Sequence, residues 1–135
     1  MSLKITHAFV SSRPDGTDTT QVQPSNWNAD HIVSGSDINP VLPSTTPIFD
    51  CSLGDTQKIT LTANAVATVI NISQAQRVLF EIIQDGFGSQ TFTWPSNVFG
   101  GMTISSTANS HNIQYFYSPD GVNLLAVTPG NTVLI

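Results

Sequence analysis

The sequence predicts an all-β protein: an antiparallel β-sandwich or jelly-roll body preceded by an extended N-terminal arm. Three observations carry this. Charged residues make up only 10% of the 135-residue chain, so polarity comes from Ser, Thr, Asn and Gln, which suit strands and turns better than helix interiors. Short apolar runs alternate with polar residues and are closed by Gly, Pro or Asp. The punctuation recurs too often to leave room for helix-length connections, which argues for sandwich pairing over a parallel sheet.

The arm is residues 1–45. Its apolar bursts, Ile5–Val10 and Ile32–Val33, are separated by Arg13-Pro14-Asp15-Gly16 and Pro24-Ser25-Asn26. Pro presets φ and Gly tolerates positive φ, so both stretches read as turns. The stretch then runs through Ser34-Gly35-Ser36 to Pro40, Pro43 and Pro47, too poor in large apolar residues to build a core of its own. It is expected to gain order by packing on its own body or on a neighbouring subunit.

The body, residues 46–135, is a succession of short strand candidates. Ile48–Cys51 is the first, closed by Leu53-Gly54-Asp55. Lys58–Thr62 alternates, with Ile59 and Leu61 inward. Ala65–Ile72 alternates again, with Val66, Thr68 and Ile70 sharing a face. Ser73–Gln76 reads as one helical turn or a loop. Arg77–Gln84 is apolar on both faces, as a central strand should be. Asp85-Gly86-Phe87-Gly88-Ser89 is a hairpin loop, and Thr91–Trp94 is a strand stopped by Pro95. Met102–Ser105 is short and peripheral. In Asn112–Ser118, Ile113, Tyr115 and Tyr117 share one face and Phe116 takes the other. Pro119-Asp120-Gly121 turns that strand into Val122–Thr128, the strongest hairpin signal in the chain. Expected core residues are Ile59, Leu61, Phe80, Ile82, Phe92, Trp94, Ile113 and Tyr115. The Val133-Leu134-Ile135 tail is expected to dock on a surface.

The net charge of -5, with only Lys4, Arg13, Lys58 and Arg77 as cations, argues against nucleic acid or an anionic membrane as partner. No apolar run spans a bilayer, and MSLKITHAF has no signal-peptide h-region, so synthesis in a cytoplasm is expected. The lone Cys51 has no cysteine to pair with inside the chain.

No catalytic, cofactor or metal site is expected. His7, His31 and His111 lie far apart and in no nucleophile or metal motif. Asp15, Asp18, Asp30 and Asp37 lack the ligand spacing of a calcium loop and read more simply as turn formers. Glycoside hydrolysis would need paired carboxylates, and the body has only Asp50, Asp55, Glu81, Asp85 and Asp120. Trp27 and Trp94 could be sugar platforms by residue type. The simpler reading makes Trp94 core and Trp27 the anchor of the arm.

Two stretches carry a resemblance. Thr6-His7-Ala8-Phe9-Val10-Ser11-Ser12, Asp15-Gly16-Thr17-Asp18 and Val22-Gln23-Pro24-Ser25-Asn26-Trp27-Asn28-Ala29-Asp30-His31 resemble a segment near the start of many tailed-bacteriophage virion proteins, often labelled tail fibre or minor structural protein. Gln90–Pro95, Asn97-Val98, Gly100-Gly101 and Gln114–Tyr117 resemble a β-rich module of phage surface and fibre proteins. The resemblance implies a virion component, made in a bacterial host's cytoplasm and commonly a homotrimer. Long relatives continue into receptor-binding regions, whereas this sequence stops at Ile135. The expectation is a head decoration or cement protein, or a short fibre or adaptor piece, that binds other virion proteins. The alternative is a host-surface or carbohydrate-binding module of a tail fibre. Phe9, Trp27 and His31 are the expected arm anchors, and Val133, Leu134 and Ile135 the tail-docking residues.

Overall fold

The computed structural model describes residues 2–5, 12–18, 20, 23–25, 31–34 and 37–135. The chain forms two compact units, Met1–Ser36 and Asp37–Ile135. The division falls earlier than the sequence placed it, because residues just after Ser36 already pair with the body.

In the first unit, β1 (Ser2–Ile5) and β2 (His31–Ser34) pair antiparallel, with Ser2 opposite Ser34 and Ile5 opposite His31. The polar stretch between them is tied by turn chemistry. Asp15 accepts from the Ser25 backbone and hydroxyl, Asp18 from the Thr20 backbone and hydroxyl, and the Gly16 N–H donates to the Gln23 side chain. These bonds from Ser25 hold the Asp15 carboxyl below its usual range.

The second unit is all-β, with no helix between residues 37 and 135. Its strands are β3 (Ile38–Pro40), β4 (Ile48–Asp50), β5 (Thr56–Leu61), β6 (Ala65–Val66), β7 (Thr68–Ile70), β8 (Arg77–Gln84), β9 (Phe92–Thr93), β10 (Val98–Phe99), β11 (Ser110–Tyr117), β12 (Leu124–Ala126) and β13 (Asn131–Leu134). The main sheet runs β10-β12-β11-β8-β5-β3, and β13 adds to β11. β8 lies inside this sheet, as its two apolar faces require. The β11–β12 hairpin forms around the Pro119-Asp120-Gly121 turn. Asp120 Oδ1 accepts from the N–H groups of Val122 and Asn123 there.

Strand direction departs from the expectation. β3, β5 and β8 are parallel neighbours, with Ile38 opposite Thr56 and Thr56 opposite Leu79. β4 pairs parallel with β7, β6 with β9 and β10 with β12. Parallel neighbours need a crossover, and here further strands supply it: the chain leaves β5, forms β6 and β7 in the two small sheets, then returns as β8. The result is a solenoid-like stack of parallel strands, closed by antiparallel β11 and its partners. Met102–Ser105 forms no strand, and Ser73–Gln76 is a turn.

The core lies between the main sheet and the two short parallel pairs. Phe49, Phe80 and Phe116 are fully buried with Ile59, Leu61, Ile82 and Leu124. Phe80 meets Phe49, Trp94 and Phe116 edge-on or steeply tilted, with centroids 5.3–5.4 Å apart, the geometry that ring quadrupoles favour. Phe92 and Trp94 are partly buried against this cluster.

Ile113 and Tyr115 are not core residues. The inward face of β11 is Ser110, Asn112, Gln114 and Phe116, which leaves Ile113 half-buried and Tyr115 exposed. The amides face inward because loops come to meet them. Asn112 donates to Ile82 O and accepts from Ser105 N–H and the Thr132 hydroxyl. Gln84 donates to Gln90 O and Ser105 O, and Gln57 to Asp50 O and Gly54 O. No buried side-chain nitrogen or oxygen among the described residues lacks a partner. A satisfied amide avoids the penalty of an unpaired buried polar group and fixes the loop it holds. β6–β7 repeats the lesson: Ala65, Ala67 and Val69 face the core, while Val66, Thr68 and Ile70 face out.

Candidate functional site

The inward turn of those amides sends the aromatic residues of β11 outward. His111, Ile113, Tyr115 and Tyr117 share the outer face of the main sheet. Tyr115 stands opposite Leu79, and Tyr117 opposite both Arg77 and Leu125. Leu125 stands opposite Phe99 on the far strand. Tyr115 is 51% exposed and Phe99 52%, and Leu125 and Val127 are exposed beside them. Scattered apolar residues are normal on a surface, but a contiguous aromatic band marks an interaction site. A groove of about 540 Å³ opens in this band, lined by Arg77, Tyr115, Phe116, Tyr117, Val127 and Thr128.

Charge on the same face is balanced locally. Glu81 on β8 bridges Lys58 on β5, with Nζ at 3.1 Å from Oε2, and His111 on β11, with Nδ1 at 2.7 Å from Oε1. Burial raises the Glu81 carboxyl, but the hydrogen bonds and charges of His111 and Lys58 outweigh it and hold the group below its usual range. The body's aspartates lie at strand ends and turns. Asp50 is held low by Ser52 and Asn71, and Asp120 by the backbone of Asn123 and Val122. Among the carboxylates of the second unit, the outer sheet face therefore carries only the compensated Glu81.

No protein-family model, curated protein or solved structure matches this chain.

Among the residues picked out from sequence, Phe9 and Trp27 lie outside the described residues, and His31 begins β2 opposite Ile5. The tail pairs with β11 through its backbone, Val133 opposite His111 and Leu134 opposite Ser110. Its side chains are not covered, however, and Ile135 is 88% exposed. Trp94 belongs to the core. Its ring packs on Phe80, Phe92 and Phe116, its indole N–H donates to Met102 O at 2.9 Å, and a Cβ on Gly101 would lie 2.5 Å from the ring.

The aromatic face itself was not legible in the sequence. Of its residues, Ile113 and Tyr115 read as core, because hydrophobic alternation identifies two faces of a strand but not which one is inside. The usable signal was the polar set Asn112 and Gln114 beside Phe116.

Proposed function

We propose that this chain is a non-enzymatic structural component of a bacteriophage virion, a head decoration or cement protein or a short fibre or adaptor piece. On this reading it acts by binding other virion proteins and copies of itself, most simply as a homotrimer. The observation that carries the reading is the exposed band of Phe99, Tyr115, Tyr117, Leu125 and Val127 on the outer sheet face. The six strands across this sheet have 2, 3, 8, 8, 6 and 3 residues, a face of roughly 490 Å² from about 3.4 Å rise and 4.8 Å spacing. Each partner of a standard protein interface contributes about 800 Å², so this face supplies roughly three-fifths of one. An acidic chain repels its own kind everywhere except where carboxylates are absent or compensated. We further read the body as a two-layer β-sandwich in its layering, supported by the core between the main sheet and the short parallel pairs. The phage assignment rests on the N-terminal Pro-Ser-Asn-Trp-Asn-Ala-Asp-His segment.

The test is incorporation. Particles of the virus encoding the chain, purified on a density gradient, should carry it in a fixed copy number. Replacing the exposed Tyr115 and Leu125 by lysine should leave the β-rich circular dichroism intact and deplete the chain from particles. Particles that lack the wild-type chain, or that take up the variant at wild-type levels, would overturn the reading.

A further inference from the structure

The loop after β8 holds a phenylalanine in open solvent. Phe87 is 91% exposed, between Gly86 and Gly88. Its loop is nonetheless fixed. Asp85 Oδ1 accepts from the N–H of Phe87 at 3.0 Å and of Gly88 at 2.9 Å, and Asp85 O accepts from Gly88 and Asn109. Gly88 sits at φ +67°, where a Cβ would lie 2.6 Å from Ser106 O. A rigidly presented aromatic loses little freedom on binding, the property of an anchor residue.

The other end of the same strand carries the aromatic groove. Arg77 begins β8 and Phe87 lies just beyond its end, so eight residues of strand, roughly 27 Å at about 3.4 Å each, separate the two features. Phe87 therefore does not reach the groove of its own chain. Opposite charges accompany them: Asp85 stands at the base of the Phe87 loop, and Arg77 lines the groove without an ion pair among the described residues. The groove volume of about 540 Å³ admits a benzyl side chain.

We propose that Phe87 of one copy enters the Arg77–Tyr115–Tyr117 groove of a second copy, with Asp85 meeting Arg77. The inference rests on the assembly reading above, since it names the partner of that outer face. Knob and groove are different surfaces, so copies close either as a reciprocal pair or as a ring.

Sedimentation of the full-length chain tests this. The wild type should self-associate at micromolar concentration. Phe87→Ser removes the knob, and Val127→Glu, at an exposed position, spoils the groove while leaving the fold intact. Each should weaken association roughly 30-fold, the loss expected on truncating an aromatic hot spot. Asp85→Asn keeps the loop-capping oxygen but removes its charge, and should weaken association less and reduce its sensitivity to salt. The decisive sample is an equimolar mixture of Phe87→Ser and Val127→Glu. One variant still has the groove and the other the knob, so a 1:1 heterodimer should form at a concentration too low for either variant, weakened about 30-fold, to associate alone. A mixture that stays monomeric, or a Phe87→Ser variant that associates like the wild type, would sink the proposal. So would a monomeric wild type. If that monomer is still incorporated into particles, the assembly reading survives and only the knob-and-groove contact falls.

Discussion

Gln114 and Met102 are joined across the core edge: the Met102 backbone N–H donates to Gln114 Oε1 at 2.6 Å. The same amide donates to Gly100 O at 3.0 Å and Thr128 O at 2.7 Å. One buried side chain thus fastens the 100–102 loop and the segment after β12 to the centre of β11. Leucine has nearly the same volume but none of these bonds, so Gln114→Leu would leave up to three backbone groups unpaired. At about 1–3 kcal/mol for each buried group left unsatisfied, partly offset by rehydration, a loss of about 3 kcal/mol is expected. The urea midpoint should fall with little change in slope.

Cys51 should be chemically silent in the native protein. Burial, and then the neighbouring Asp50 charge, push its thiol up to about 12, and the thiolate is the reactive form. Native labelling by a thiol reagent at neutral pH should be at least about 100-fold slower than in denaturant, because reaction waits on opening. Equal rates would show that the β4 turn opens freely. A raised thiol also sets a sign: its contribution to stability is complete below the unfolded value of 9.0 and is lost as pH rises toward 12.

Glu81 should make stability fall in acid. Its folded carboxyl lies below the ordinary 4.5, so its contribution is present above that value and disappears as pH falls through the lowered one. Asp50 and Asp120 act in the same direction, so the comparison must be with Glu81→Gln. The difference in urea midpoint between wild type and variant should be largest near neutrality and shrink below pH 4.5. A constant difference would mean that Glu81 contributes through packing alone.

Read as the anchor of the N-terminal segment, Trp27 predicts that Trp27→Ala leaves the thermal midpoint of the body unchanged while lowering particle occupancy. The mechanism is the loss of a large apolar anchor from a segment otherwise made of turn formers. Wild-type values for both midpoint and occupancy would reassign Trp27 to another task.

The sequence by itself determined the strand content. Its low charge, its Thr- and Val-rich runs and its Gly, Pro and Asp stops are local properties, and they located β5, β8 and the β11–β12 hairpin. The inward set Ile59, Leu61, Phe80 and Ile82 followed from the same periodicity, since those strands bury their apolar residues. Tertiary structure alone decided two things. Parallel pairing of β3, β5 and β8 depends on where intervening strands go, which no local pattern encodes. The facing of β11 depends on Gln114, Asn112 and Gln84 finding loop backbone to bond. Once those amides are satisfied inside, Phe116 fills the core beside them, and the two-residue period of the strand leaves Tyr115 and Tyr117 no position but the outside.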